Sequence, residues 1–183
     1  MPAEIRFAIA RDAESLARVA AETFPLACPT GLAAKDIDDF IAANLSEARF
    51  EGYVADPART ILVASEGTMT VGYSMLRAGE PEGAGVRSAV RLRLTAELEK
   101  FFLVSASHGD GTARLLMAAS LVVAVGWGSR SVWLGVGREN ARANRFYEKQ
   151  GFVVVGTKAF RVGERVFAND FVRERPLTIS APH

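Results

Sequence analysis

The spacing of apolar and polar positions changes period several times along the chain, and each change marks a predicted element. Residues 5–9 (Ile5, Arg6, Phe7, Ala8, Ile9) alternate and read as a strand. Leu16, Val19, Ala20 and Phe24 then recur at helical spacing, with Asp12 as the expected N-cap and Pro25 as the expected stop. After a loop over 25–32, Ile37, Phe40, Ile41 and Leu45 predict a second helix over 35–45. From Thr60 the period becomes two. Residues 61–64 and 71–76 form a hairpin through Glu66, Gly67 and Thr68.

The stretch 79–85, rich in glycine and acid, reads as a wide flexible loop, followed by one long strand over 89–104. A short glycine-containing loop leads into a helix over 112–127, a strand over 132–136, and a further helix over 140–150 with Gly151 as its C-terminal stop. Two last strands, 152–160 and 166–173, meet near Gly163. The order β-α-α-β-β-β-α-β-α-β-β predicts an α/β (α+β) fold, a mixed sheet flanked by helices. The expected organisation is a single domain over 1–183, with a core at 3–177 and a short disordered tail at 178–183.

Composition narrows the function classes. With 49% hydrophobic residues the chain can bury a core, and a formal charge of +1 gives no global pull toward nucleic acid or membrane. A single cysteine, Cys28, excludes an internal disulfide and reads as a small loop hydrophobe. His108 and His183 are too far apart for a zinc cluster, so no metal is expected. Residues 1–10 lack a signal-peptide pattern, and the longest apolar stretch, 115–127, falls short of the about 20 residues that span a bilayer. A soluble cytoplasmic protein, as a monomer or homodimer, is the expectation.

Candidate chemistry gathers at the run Phe101, Phe102, Leu103, Val104, Ser105, Ala106, Ser107, His108, Gly109, Asp110, Gly111, Thr112, Ala113, Arg114. An apolar strand runs into small residues and directly into a helix. Gly109 and Gly111 let main-chain amides approach a ligand closely. The first amides of the following helix lack intrahelical partners and sit at the positive end of its dipole, which makes an anion cradle that needs no lysine. The loop is neither a Walker A motif, lacking Gly-Lys-Ser/Thr, nor a complete dinucleotide fingerprint.

Two motifs in sequence order carry a resemblance. The run from His108 to Ala113 resembles the Arg/Gln-x-x-Gly-x-Gly/Ala signature of the GNAT N-acetyltransferases. Asn140, Ala143, Phe146, Tyr147, Lys149, Gly151 and Phe152 resemble that family's Asn-x-x-Ala-x-x-Phe-Tyr-x-Lys-x-Gly-Phe block. The resemblance spans residues 60–177, and the ending from Phe160 through Gly163, Asp170 and Arg175 to Leu177 resembles a branch that includes polyamine and protein acetylators.

The resemblance implies a mostly antiparallel sheet with a splayed strand pair that holds acetyl-coenzyme A as cosubstrate. Phe101, Phe102, Leu103 and Val104 would bond pantetheine through their backbones. The amides of Gly109, Asp110, Gly111, Thr112, Ala113 and Arg114 would hold the pyrophosphate, assisted by His108, which replaces the usual Arg or Gln. Asn140 would contact the cosubstrate arm on the same helix face as Tyr147, two turns on. Tyr147 would protonate the departing thiolate, and an amide near Leu103 would bind the oxyanion.

Glu97 is the expected base that accepts a proton from the attacking ammonium, with Glu99 on the same strand face as the other candidate. Both carboxylates are alternatively solvated, or paired with Arg91 or Arg93. Asp110 would have to point outward or cap the helix. Gly135 stands where some protein-acetylating members place a glutamate. Asp36, Asp38 and Asp39 are candidates to face a polycationic acceptor, or form a solvated helix start. The expected reaction is acetyl transfer to a primary amine of a small molecule or peptide. The alternative is a binding module that senses acyl-coenzyme A without turnover.

Overall fold

The computed structural model describes residues 3–178, so the tail predicted at 178–183 lies, Thr178 apart, outside the described residues. A seven-stranded sheet runs in the order β1-β2-β3-β4-β5-β7-β6. Its strands are β1 (Glu4–Phe7), β2 (Arg59–Glu66), β3 (Met69–Ala78), β4 (Thr95–Leu103), β5 (Ser131–Val136), β6 (Val153–Val162) and β7 (Arg165–Pro176). All neighbours are antiparallel except β4 and β5. The helices are α1 (Ala13–Ala27), α2 (Ala34–Asn44), α3 (Glu47–Ala55), α4 (Ala84–Ala89), α5 (Thr112–Gly126) and α6 (Ala141–Lys149). Among the described residues no helix is long and apolar enough to cross a membrane.

The pleat of β3 sorts the helices into two layers. Tyr73 packs edge-on against Phe50 of α3 with ring centroids 5.4 Å apart, whereas its neighbour Ser74 hydrogen-bonds Ser120 of α5 at 2.8 Å. Successive residues of a strand face opposite sides, so α3 and α5 cover opposite faces. Leu16, Val19, Phe50, Val63 and Tyr73 form the fully buried centre of one cluster, and Leu76, Met117, Leu134 and Phe152 that of a second.

Several predicted boundaries need correction. Pro25 does not end α1, which continues to Ala27; so near a C-terminus a proline forgoes only one ladder bond, and Phe24 gains a stack on Phe40 at 4.5 Å. Asp12 does not cap α1 through its side chain. Its carboxylate turns back to accept from the Ile9 N–H at 2.8 Å and from Arg6 at 2.7 Å. Helix α3 was not foreseen, because only Phe50 and its neighbours Tyr53 and Val54 supply an apolar stripe, barely one turn.

The largest correction concerns residues 84–94. The expected loop and long strand are instead α4 and a turn, and β4 starts only at Thr95. The amides of Arg91 and Leu92 donate to the buried Glu174 carboxylate of β7, at 2.9 and 3.1 Å, instead of to a neighbouring strand. Ser131 Oγ also lies within hydrogen-bond distance of Glu174, at 2.8 Å, and of Thr95 Oγ1, at 2.9 Å, its single proton serving one of the two. Replacing Glu174 by Gln removes an acceptor oxygen from this buried network. Denaturant unfolding should show a loss of about 1–3 kcal/mol, the usual penalty for stranding buried donors.

Candidate active site

Strands β4 and β5 pair in parallel through three positions only, Thr95 with Ser131, Ala96 with Val132 and Glu97 with Trp133. Beyond them the strands diverge, and the gap opens into a cleft of about 390 Å³. Val104 N–H donates to the Val71 carbonyl at 2.8 Å, which fixes the phase of the ladder to β3. By alternation Phe102 also turns its main chain toward β3, while Phe101 and Leu103 turn N–H and C=O toward the gap. The expectation that all four backbones from Phe101 to Val104 serve a ligand is therefore corrected to two. The pairing of β3 with β4 shifts register between Met75 and Leu76, leaving Glu99 as the extra residue of a bulge.

The loop after β4 keeps in part the geometry expected of an anion cradle. Gly109 and Gly111 adopt φ of 90° and 99°, the left-handed region that glycine enters freely. Asp110 caps α5: its carboxylate accepts from the Thr112 N–H at 2.8 Å, a bond that holds its pKa below the ordinary range. Arg114 N–H donates to the Gly111 carbonyl at 3.0 Å. Thr112 and Arg114 are thus committed within the loop, which corrects the expectation that every amide from Gly109 to Arg114 is available. Gly109, Gly111 and Ala113 have amides with no acceptor among the described residues.

His108 is engaged on both ring nitrogens. A carbonyl can only accept, so Nε2 donates to Leu103 C=O at 3.0 Å and Nδ1 accepts from the Arg142 guanidinium. The ring therefore offers no donor to a phosphate, and Arg142, on the first turn of α6, brings the positive charge to the loop instead. Sequence reasoning missed Arg142 because it lies 34 residues from the histidine it touches. Asn140 precedes α6 and does not share a helical face with Tyr147. Its side-chain oxygen caps the helix by accepting from Ala143 N–H at 3.1 Å, and the residue lines the cleft.

Tyr147 lines the same cleft, on the face of the sheet covered by α5 and α6. Its ring is clamped edge-on by Phe101, Phe146 and Phe152, with centroids at 6.3, 5.6 and 5.8 Å. Burial among these rings pushes the phenol well above its ordinary pKa, so it keeps its proton across the physiological range.

On the opposite face Glu97 and Glu99 both reach the cleft wall, and neither pairs with Arg91 or Arg93. Arg77 holds Glu97 at 3.1 Å and Glu99 at 3.2 Å, and Arg59 holds Glu99 at 2.8 Å. Burial raises the Glu97 pKa, and the Arg77 hydrogen bond only partly opposes it. A carboxylate with raised pKa beside a cleft is the environment a general base needs. Cys28 also lines the cleft; burial pushes its thiol up to about 11, which leaves it unreactive.

The rest of this chamber was not foreseen. Phe24, Phe40 and Phe160 wall it, and Lys100, Lys158 and Asp170 reach into it. Asp36, Asp38 and Asp39 do not line it: Asp36 lies against Gly163 and Asp39 pairs with Lys35 at the surface. Among the described residues no cluster of metal-ligating side chains occurs.

Comparison with known proteins agrees with this geometry. Residues 20–152 match the acetyltransferase (GNAT) family. The chain belongs to the GNAT family. Uncharacterized N-acetyltransferases of Mycobacterium tuberculosis and Mycobacterium bovis are each 45% identical over 166 residues, covering 91% of this chain and 98% of theirs. The PaiA N-acetyltransferase of Thermoplasma acidophilum, crystallised in complex with coenzyme A, superposes with a TM-score of 0.78 at 20% identity, covering 97% of this chain and all (100%) of that one. The ribosomal-protein-S18-alanine N-acetyltransferase of Escherichia coli superposes with a TM-score of 0.68 at 12% identity over 98% of this chain and 96% of its own. GNAT membership makes this chain an N-acetyltransferase in general terms, and the mostly antiparallel sheet flanked by helices is the fold these neighbours share.

Proposed function

We propose that the chain moves an acetyl group from acetyl-coenzyme A to a primary amine of a small molecule or peptide, by direct attack within a ternary complex. The divergence of β4 and β5 beyond Glu97 and Trp133 carries this reading. It leaves a strand edge open along one cleft that touches Tyr147 and Glu97 from opposite faces of the sheet.

The residues present fit the cosubstrate. Phe101 offers its main-chain groups and Leu103 its N–H to an extended pantetheine arm, as an added strand would need, the Leu103 carbonyl being taken by His108. The amides of Gly109, Gly111 and Ala113, at the positive end of the α5 dipole, suit a pyrophosphate, and Arg142 adds a full charge. Acetyl-coenzyme A supplies an already activated thioester. Glu97 removes a proton from the acceptor ammonium, directly or through water, so that a neutral amine attacks. Tyr147 gives its phenolic proton to the sulfur as it leaves and is restored by the second proton that the amine nitrogen sheds as the adduct collapses to the amide, directly or through water; positioning supplies much of the remaining acceleration.

Calorimetry with coenzyme A and a thiol-release screen over amino acids, peptides and polyamines test the reading. Coenzyme A should bind, and Arg142→Ala should weaken it about five- to tenfold, an effect that shrinks as salt is raised. Absence of coenzyme A binding would sink the proposal. Binding without turnover of any amine would turn the protein into an acyl-coenzyme A sensor.

A further inference from the structure

We propose that Lys158 is the anchor for a carboxylate on the acceptor, so that the amine acetylated belongs to an apolar amino acid and not to a polyamine. The inference rests on the transferase reading above and names the substrate class of that same cleft.

Lys158 of β6 reaches across the sheet over β5. A Cβ on Gly135 would meet Lys158 Cδ at 2.9 Å and Nζ at 3.3 Å, so the missing side chain at 135 is what lets the lysine lie there. Its ammonium sits 5.5 Å from the centroid of the Trp133 ring, and Trp133 is the register partner of Glu97 on the neighbouring strand. The ammonium lines the same cleft as the candidate base, and its charge acts on the Glu97 carboxylate.

Glu97 and Asp170 both lie close enough to feel the Lys158 charge, but neither forms a direct ion pair with it among the described residues. Arg77 and Arg59 hold Glu97 and Glu99. Asp170, opposite Lys158 in the β6–β7 ladder, accepts from the main-chain N–H of Arg138. Lys158 itself makes no ion pair and no hydrogen bond among the described residues. A cation left without a direct partner on the wall of a partly desolvated cleft is a site for an anion. An acceptor that puts its ammonium at Glu97 and its carboxylate at Lys158 satisfies both charges.

A polyamine meets the reverse. Its further ammonium groups would have to pass Lys158; of the acids on the cleft wall Glu97 and Glu99 are held by arginines, and those of α2 lie outside it. The stacked rings of Phe24 and Phe40, with Phe160 edge-on at 5.8 Å, complete the chamber with a wall suited to an apolar side chain.

Phenylalanine and phenethylamine differ only by the carboxylate and so form the test pair, with spermidine as the polycation. The wild-type protein with acetyl-coenzyme A should show a KM for phenylalanine about tenfold below that for phenethylamine, the scale of one charge-assisted bond. Lys158→Met should raise the phenylalanine KM about tenfold and the phenethylamine KM by less than about twofold, whereas Lys158→Arg should keep the preference. A wild-type preference for phenethylamine or spermidine would overturn the proposal. So would an equal effect of Lys158→Met on both test amines, or an acetyl group found by mass spectrometry on Lys158 itself. If no amine is acetylated, calorimetry of phenylalanine against coenzyme A-saturated protein still decides. Binding lost in Lys158→Met keeps the anchor while the transferase reading falls, and absence of binding overturns the anchor.

Discussion

Replacing Tyr147 by phenylalanine is expected to lower kcat by about 100-fold, with the KM for acetyl-coenzyme A within about twofold of wild type. The ring would stay where Phe101, Phe146 and Phe152 hold it, so the binding surface is conserved and only the hydroxyl is lost. Burial raises the phenol pKa, so the wild-type hydroxyl keeps its proton across the physiological range. The loss should accordingly be constant with pH, and residual turnover should persist because a thiolate is a fair leaving group even unaided. Steady-state thiol release over a pH series measures this. An unchanged kcat would assign the proton to water.

Glu97→Gln is the second large effect, expected to reduce kcat/KM about 10- to 100-fold. The sign of its pH dependence follows from burial, which favours the protonated form and raises the Glu97 pKa above the ordinary glutamate range. A base must be ionised to work, so wild-type kcat/KM should climb as pH rises through that raised value. The Gln variant should lack this limb and retain only the later rise from deprotonation of the amine itself. A wild-type profile without the lower limb, or one shared by Glu97→Gln, would move the role to Glu99 or to water. Arg77 is part of the same arrangement, since its two carboxylate contacts keep Glu97 and Glu99 turned toward the cleft.

Much of the fold is readable from the chain because its signals are local. The strand running into the Gly109–Gly111 turn and α5 is set by one period change and two glycines, and α6 by its helical stripe and Gly151. Residues 84–94 resisted because their conformation is decided by a carboxylate 83 positions away, Glu174, which takes the Arg91 amide that a strand would have used. The site divides along the same line. Glu97 and Tyr147 stand within recognisable patterns. The use of His108 as a brace between Leu103 and Arg142, and the way Lys158 fills the space above Gly135, depend on contacts between distant segments. Asp36 shows the opposite error. An acid on a helix near a presumed pocket suggested a role, yet the hairpin turn at Gly163 lies against it.

The Thr95–Ser131–Glu174 network has a further result for kinetics. It rivets the two strands together at the narrow end of a V, where side-chain oxygens lock Thr95 to Ser131 and Ser131 to β7. The wide end is thereby held apart by the folded scaffold itself, before any guest arrives. Coenzyme entry then requires no rupture of a ladder, and its free energy is not diluted by prying strands apart. Association should proceed in a single fast phase at the rate of loop and side-chain adjustment, with the slot already cut.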